Sequence, residues 1–313
     1  MMTSKIYHGT RQKKKFLWYV KRNWQLYVLL LPTIVYLFLF QYLPITGVQI
    51  AFRNFTARGG IWNSTWVGLK HFQKFFSSPQ FWTLLENTMK ISVYSLLWGF
   101  PIPILLAVML NECKTIKLKK TVQMVTYAPH FISTVVLASM IHLFLDQDTG
   151  IINKVIELFG GTASNLIGKE KAFRTIYVVS GIWQSCGWSS IIYISALSGV
   201  DTELYEAAKI DGANRLQKVW YIDLPSILPT IVTLFILNCG NILNVGYEKV
   251  YLLQNSMNQS VSEVISTYVY KIGLLGGQFS YTTAIGLFNS VINVVVLLVV
   301  NRIAKKVNDV SLF

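Results

Sequence analysis

Residues 201–225 read DTELYEAAKIDGANRLQKVWYIDLP, from Asp201 to Pro225, and they lie between two long apolar runs. The stretch carries Asp201, Glu203, Glu206, Asp211 and Asp223 beside Lys209, Arg215 and Lys218, so its charge is mixed where its flanks carry almost none. Asp201 is placed to cap a helix running through Leu204, Glu206, Ala207, Ala208 and Ile210, with the acids of its first turn favoured by the helix dipole. Gly212 supplies the freedom to end that helix. A second short helix through Leu216, Val219 and Trp220 is expected to stop before Leu224 and Pro225, because the residue preceding proline is pushed out of helical geometry.

Outward from this segment the chain is strongly apolar. Of 313 residues 53% are hydrophobic and 13% charged, and the mean hydropathy is +0.45. A soluble domain carries nearer a quarter charged residues, so the class is an all-α integral membrane protein. Six runs are apolar over at least ~18 residues, the span criterion. They are residues 24–52, 87–110, 121–145, 173–197, 226–245 and 281–303. As one helix the first would reach about 43 Å at 1.5 Å per residue, longer than a bilayer core, and Pro32 and Pro44 predict a kink or an interfacial end. Six spans leave only loops besides a basic segment 1–23, the segment 198–225 and a tail 304–313. The first run is too long for a cleaved leader and lacks a small-residue cleavage site, so it reads as a retained span.

The formal charge of +14 is placed unevenly. Lys5, Arg11, Lys13, Lys14, Lys15, Lys21 and Arg22 precede the first span, Lys114, Lys117, Lys119 and Lys120 follow the second, and Arg302, Lys305 and Lys306 close the chain. Retention of short basic segments inside predicts both termini in the cytoplasm. Residues 198–225 then face the cytoplasm too. Trp62, Trp66, Trp82, Tyr268 and Tyr270 are expected at the outer interface.

The inner segment reads Glu206-Ala207-Ala208, three residues, Gly212, nine residues, Ile222, one residue, Leu224-Pro225. It resembles the E-A-A signature of the membrane subunits of binding-protein-dependent ATP-binding-cassette importers in every defined position, and it lies between the fourth and fifth runs as in that family. Leu29-Leu30-Leu31-Pro32, Tyr42-Leu43-Pro44, Gln49-Ile50-Ala51-Phe52, Trp66-Val67-Gly68-Leu69, Leu243-Asn244-Val245-Gly246-Tyr247-Glu248, Thr267-Tyr268-Val269-Tyr270 and Gly277-Gln278-Phe279-Ser280-Tyr281 are similar to the LplB-like subgroup of the maltose-type carbohydrate uptake class. One departure is Thr202, where many relatives carry proline.

The resemblance implies a type I importer permease fold and a set of partners. These are a second permease subunit in a heterodimer, two cytoplasmic ATPase subunits, an extracellular solute-binding lipoprotein, an oligosaccharide substrate and the lipid of a plasma membrane, of the Gram-positive kind. No nucleic acid is implied. Glu206, Ala207, Ala208, Asp211, Gly212, Ile222, Leu224 and Pro225 would form the joint with the ATPase. The chain has no G-x-x-x-x-G-K-[S/T] loop, so it is expected to bind no cofactor, with ATP and magnesium used by a partner chain.

For the substrate path the candidates are polar and aromatic residues within the runs, since such groups face protein or a water-filled cavity. Asn238, Asn241 and Asn244 recur every three residues on the fifth run, Asn289 and Asn293 stand four apart on the sixth, and Tyr94, Trp98, Trp183 and Gln184 lie on the second and fourth. Asparagines also tie helices together, so both roles stay open. His130 and His142, twelve apart, are not expected to share a metal, and Cys113, Cys186 and Cys239 suggest packing rather than a disulfide or thiolate site. No catalytic constellation is present. The alternative class, an ATP-independent secondary transporter or another multi-span membrane protein such as an intramembrane enzyme, calls for ion-pairing acids buried in the spans or a catalytic pair, whereas Glu86, Glu248 and Glu263 fall at or beyond span ends.

Overall fold

The computed structural model describes residues 18–19, 21–308 and 311–312. Residues 1–17, 20, 309, 310 and 313, which hold most of the expected basic N-terminal segment and part of the tail, lie outside the described residues. The chain divides at Leu69 and Lys70 into two compact units.

The first unit is built on α1 (Trp24–Leu37), a π turn (Phe38–Tyr42), α2 (Leu43–Ile45) and a 3-10 turn (Thr46–Phe52). Together they make one long apolar helical run. No residue of α1 is buried, the pattern of a helix whose surroundings are as apolar as itself. Pro32 stands inside α1 without ending it, and Pro44 stands in the first turn of α2, directly after the π turn. A short helix α3 (Gly60–Asn63) follows. A two-residue hairpin, β1 (Arg53–Asn54) with β2 (Thr65–Trp66), pairs Arg53 with Trp66 and Asn54 with Thr65 antiparallel. Phe52 stacks on Trp66 at 5.5 Å between ring centres.

The second unit is helical throughout. Its elements are α4 (Lys70–Phe76), α5 (Gln80–Gly99), α6 (Pro101–Asn111), α7 (Ile116–Tyr127), α8 (Thr134–Leu145), α9 (Ile151–Leu158), α10 (Glu170–Ser198), α11 (Thr202–Ile210), α12 (Arg215–Lys218), α13 (Leu224–Cys239), α14 (Tyr247–Leu253), α15 (Gln259–Ser262), α16 (Ile265–Val269) and α17 (Phe279–Asn308). Three apolar clusters hold them. Ile91, Leu137, Ile141, Phe173, Val250 and Leu253 join α5, α8, α10 and α14. Phe75, Phe81, Leu84, Ile265, Tyr281 and Ile285 form an aromatic knot of α4, α5, α16 and α17. Ile104, Ala107, Tyr193, Leu197 and Ile227 join α6, α10 and α13 beside the 201–225 segment.

Four helical runs among the described residues are long and apolar enough to cross a bilayer, namely Trp24–Phe52, Gln80–Asn111, Arg215–Cys239 and Phe279–Val307, and a bent pair makes a fifth. The fourth expected run is present as α10, 29 residues long. Its Ser180, Gln184, Ser185, Ser189 and Ser190 dilute its apolarity.

Three expectations need correction. The expected span 121–145 is not one helix: Ile116–Phe131 and Thr134–Leu145 meet at 102°. Pro129 sits in a 3-10 turn, Ile132 and Ser133 are extended, and the Ser133 hydroxyl caps α8 by accepting from the Val136 N–H at 3.3 Å. The expected stop before Leu224 and Pro225 is absent as well. A π turn over Val219–Asp223 carries the chain from α12 into α13 as one run, and the wider turn is where the chain accommodates Pro225, the second residue of α13. Finally, the expected span 226–245 ends at Cys239, so Asn241 and Asn244 lie beyond the helix. Gly240 ends it, and a β-carbon there would stand 2.5 Å from the Leu297 side chain.

Candidate functional site

The 201–225 segment is built as two capped helices around one glycine. Asp201 accepts from the Glu203 N–H at 3.0 Å at the start of α11. At its end Gly212 adopts φ +75°, the Ala213 N–H reaches the Ala208 carbonyl at 2.9 Å and the Gly212 N–H reaches Lys209 at 3.2 Å. That is the Schellman closure, which places its left-handed residue where glycine is favoured. Asn214 and Gln217 then close a capping box on α12, at 2.9 and 2.7 Å.

No residue of α11 is buried. Glu206, Ala207, Asp211 and Gly212 are exposed, and so are the apolar Leu204, Leu216, Trp220 and Tyr221. Ile210 leaves 87% of its surface open, which is costly for an apolar residue unless something covers it.

What fixes this otherwise bare helix is polar and was missed by the sequence reading. The Tyr205 hydroxyl donates to Asp223 Oδ1 at 2.5 Å, and Asn111 Nδ2 donates to the same oxygen at 3.4 Å. Asp223 is fully buried. Burial, and next the bond to this carboxylate, push the Tyr205 phenol up to about 12. Lys218 Nζ meets Glu112 Oε1 at 3.2 Å. The helix, the end of α6 and the start of α13 are thereby tied to one carboxylate. Its only sequence signal was an acid, Asp223, set between Ile222 and Leu224.

A second feature is a cavity of about 770 Å³ among α5, α6, α10, α13 and α14. Its wall includes Ser92, Ser95, Gln184, Ser185, Ser189, Asn238, Asn241 and Asn244 beside Phe100, Tyr177, Trp188 and Tyr193. Of the polar residues of α10, Gln184, Ser185 and Ser189 are turned into the cavity, while Ser180 and Ser190 bond carbonyls of their own helix.

The expected pathway residues divide. Gln184, Asn238, Asn241 and Asn244 line the cavity, whereas Tyr94, Trp98, Trp183, Asn289 and Asn293 are outside its wall. Trp98 and Trp183 are exposed, and Tyr94 Oη lies 3.4 Å from Thr175 Oγ1. Asn289 and Asn293 instead anchor the wall. Each donates to Asn244 Oδ1, at 2.9 and 3.1 Å, while Asn244 Nδ2 donates to Asn241 Oδ1 at 3.1 Å. Asn293 Oδ1 accepts from the Leu243 N–H at 3.1 Å. Lining and tying are therefore two ends of one hydrogen-bonded chain. Asn238 and Asn241 also donate back to the Leu234 and Leu237 carbonyls, at 2.8 and 3.2 Å.

The sequence reading also missed Lys249. It is 9% exposed and lines the cavity. Among the described residues no group of three or more His, Cys, Asp or Glu side chains is placed to hold a metal. His130 stacks flat on Trp188, ring centres 4.5 Å apart, and His142 Nε2 sits 3.1 Å from the Leu252 carbonyl oxygen.

A bundle of apolar helices around a polar cavity, with an exposed capped helix tied to its end, defines a multi-pass membrane permease. The chain belongs to the family described as the inner membrane component of binding-protein-dependent transport systems, whose model matches residues 99–309. It is similar to the polygalacturonan/rhamnogalacturonan transport system permease protein YteP of Bacillus subtilis, 43% identical over 98% of this chain and 96% of that one. It is also similar to the protein LplB of Bacillus subtilis, 42% identical over 94% and 92%. A crystal structure of a bacterial alginate ABC transporter, in complex with an alginate pentasaccharide-bound periplasmic protein, contains a chain 38% identical to this one. The two superpose with TM-score 0.85 over 94% of this chain and 98% of that one.

Proposed function

We propose that this chain is one permease subunit of an ATP-driven importer that receives an oligosaccharide, a fragment of a complex glycan or polysaccharide, from a solute-binding protein and moves it inward by alternating access. The observation that carries this reading is the cavity wall. Amides and hydroxyls at Gln184, Asn238, Asn241, Ser185 and Ser189 stand beside the rings of Tyr177 and Trp188. Sugars are held by this combination, hydroxyls by amides and ring C–H faces by aromatics. The saccharide names of YteP and of the alginate transporter support the same class.

The exposed helix α11 is the coupling element in this reading. Glu206, Ala207, Ala208, Asp211 and Gly212 would enter a cleft of a cytoplasmic ATPase chain, with Ile210 covered there, while Ile222, Leu224 and Pro225 pass the movement into α13. ATP and magnesium belong to two such ATPase chains, and a second permease completes the pair. Six spans with both termini inside, residues 24–303 as one permease domain, and a Gram-positive plasma membrane complete the proposal. The periplasmic partner in the alginate transporter supports a binding protein.

The test is reconstitution. The complex carried down by a tag on this chain is placed in vesicles with the binding protein, and uptake of labelled oligosaccharide is followed with and without ATP. Uptake that needs ATP and the binding protein is expected. Uptake by this chain alone, driven by an ion gradient, would replace the reading with a secondary transporter.

A further inference from the structure

Lys249 is the single charged residue among those lining the cavity, and it does nothing in the reading given so far. Its Nζ donates to the Tyr177 carbonyl at 2.9 Å and lies 4.7 Å from the centre of the Tyr177 ring. Gly181 leaves it room, since a β-carbon there would approach Nζ to 3.2 Å. Among the described residues no carboxylate forms an ion pair with it. One carbonyl and one ring face satisfy a fraction of an ammonium with three donors.

The groups around it supply no counter-charge. From α10 the facing group is the Tyr177 phenol. On the elements packed against α14, His142 is engaged with the Leu252 carbonyl at 3.1 Å, and Tyr270 is stacked on Tyr247 at 5.1 Å and against Tyr251 at 5.3 Å. On its own helix Glu248 is exposed. A buried charge without an ionic partner is unfavourable, and such a residue in a cleft marks a place where something else brings the partner.

We propose that Lys249 is the cavity's counter-charge for a substrate carboxylate, so that the saccharide carried is an acidic one built of uronate residues, and Lys249 determines that specificity. The proposal rests on the importer reading above. Gln184, Asn238 and Asn244 line the same cavity as the ammonium, so the hydroxyls and the carboxylate of one sugar would meet polar groups in one chamber. A neutral sugar would leave the charge as it stands, unpaired.

Lys249 lies in the connection between α13 and α17, outside the spans, and burial lowers its ammonium to about 8. It is charged below that pH and neutral above it. Uptake that depends on the charge is present at pH 7 and falls as the pH rises through about 8.

The experiment uses the full complex in vesicles, a galacturonate tetrasaccharide and its carboxyl-reduced neutral counterpart as probes, and wild type, Lys249→Arg and Lys249→Gln. Wild type should carry the uronate, with uptake declining above about pH 8. Lys249→Arg should keep uptake within about threefold and lose the decline, because a guanidinium stays charged throughout. Lys249→Gln should carry the uronate about tenfold more slowly while hydrolysing ATP and assembling as wild type does. If Lys249→Gln fails to assemble, the pH profiles of wild type and Lys249→Arg decide the matter. Uronate uptake unchanged in Lys249→Gln, an alkaline decline retained in Lys249→Arg, or preference for the reduced sugar overturns the proposal and leaves the importer reading standing. Absence of ATP-dependent uptake of either sugar overturns the importer reading itself.

Discussion

The hydroxyl of Tyr205, on the exposed helix α11, donates to the buried carboxylate of Asp223 at 2.5 Å. Asp223 is also where Asn111, at the end of α6, is bound. One carboxylate thereby joins α11 to the end of α6 and the start of α13. Among the described residues Asp223 Oδ2 has no hydrogen-bond partner, so the group depends heavily on its one well-made bond. Tyr205→Phe removes that bond while keeping the ring, and a hydrogen bond to a charged group is worth about 2 kcal/mol. The melting temperature of the detergent-solubilised protein should fall, and uptake per ATP hydrolysed should fall further than ATP hydrolysis itself. Equal losses in both would mean a structural tie with no coupling role.

Gly212 has a defined stereochemical demand. At φ +75° with open space around it, alanine meets no clash yet pays about 1–2 kcal/mol for left-handed backbone. Gly212→Ala should assemble and retain reduced uptake. Gly212→Pro cannot adopt positive φ, and uptake should vanish while the protein still inserts, read by membrane fractionation beside the transport assay.

Gly187 sits where α10 crosses α7. A β-carbon there would stand 2.1 Å from the Thr126 carbonyl oxygen, which is backbone and cannot rotate away. Close approach at small residues is a principal source of helix association in membranes. Gly187→Val should separate the two helices and abolish a monodisperse peak in size-exclusion chromatography; a well-behaved variant with normal uptake would refute the packing account.

Much of this was legible in the residues, for identifiable reasons. Apolar length marked most of the long helical runs, and Asp201 and Gly212 marked the bounds of α11 because caps are local chemistry. The break at Pro129 was not legible, since a proline within an apolar run is compatible with a kinked span as well as a right-angle turn. The asparagines illustrate a second limit. Spacing placed them on one run, but the helix ends at Cys239, and Asn244 is held at the cavity by Asn289 and Asn293 arriving from α17. Lys249 left no signal because a lysine in a connecting segment reads as solvated until packing buries it.

Asn244 is the hub of that amide chain, accepting from both Asn289 and Asn293. Asn244→Leu removes the acceptor of both donors, of which Asn293 is buried, and a buried unsatisfied group costs about 1–3 kcal/mol. Thermal stability should drop by that order and uptake should fall with it. Asn238→Leu, whose amide bonds only its own helix at 2.8 Å, should leave stability nearly unchanged, so any transport defect there reports on the cavity wall.

Lys249→Met separates stability from transport. The ammonium is lowered from 10.5 to about 8 by burial, so between those values the unfolded chain binds more protons than the folded one. Stability should rise with pH across that window, and the cost of the buried charge is fully present below about pH 8. Removing the charge should stabilise the protein at pH 7 by up to about 3 kcal/mol, with the gain shrinking toward pH 10. A thermal-shift series at pH 7, 8, 9 and 10 reads this directly, and a variant less stable than wild type at every pH would contradict it.

The central claim is that this chain works as the translocation subunit of an ATP-driven saccharide importer. The most direct measurement is oligosaccharide uptake into vesicles holding the complex isolated through this chain, with ATP supplied to the side of α11 and binding protein to the other. Uptake requiring both, and lost in Gly212→Pro, is the result predicted. Uptake that proceeds without ATP, or that Gly212→Pro leaves intact, would contradict it.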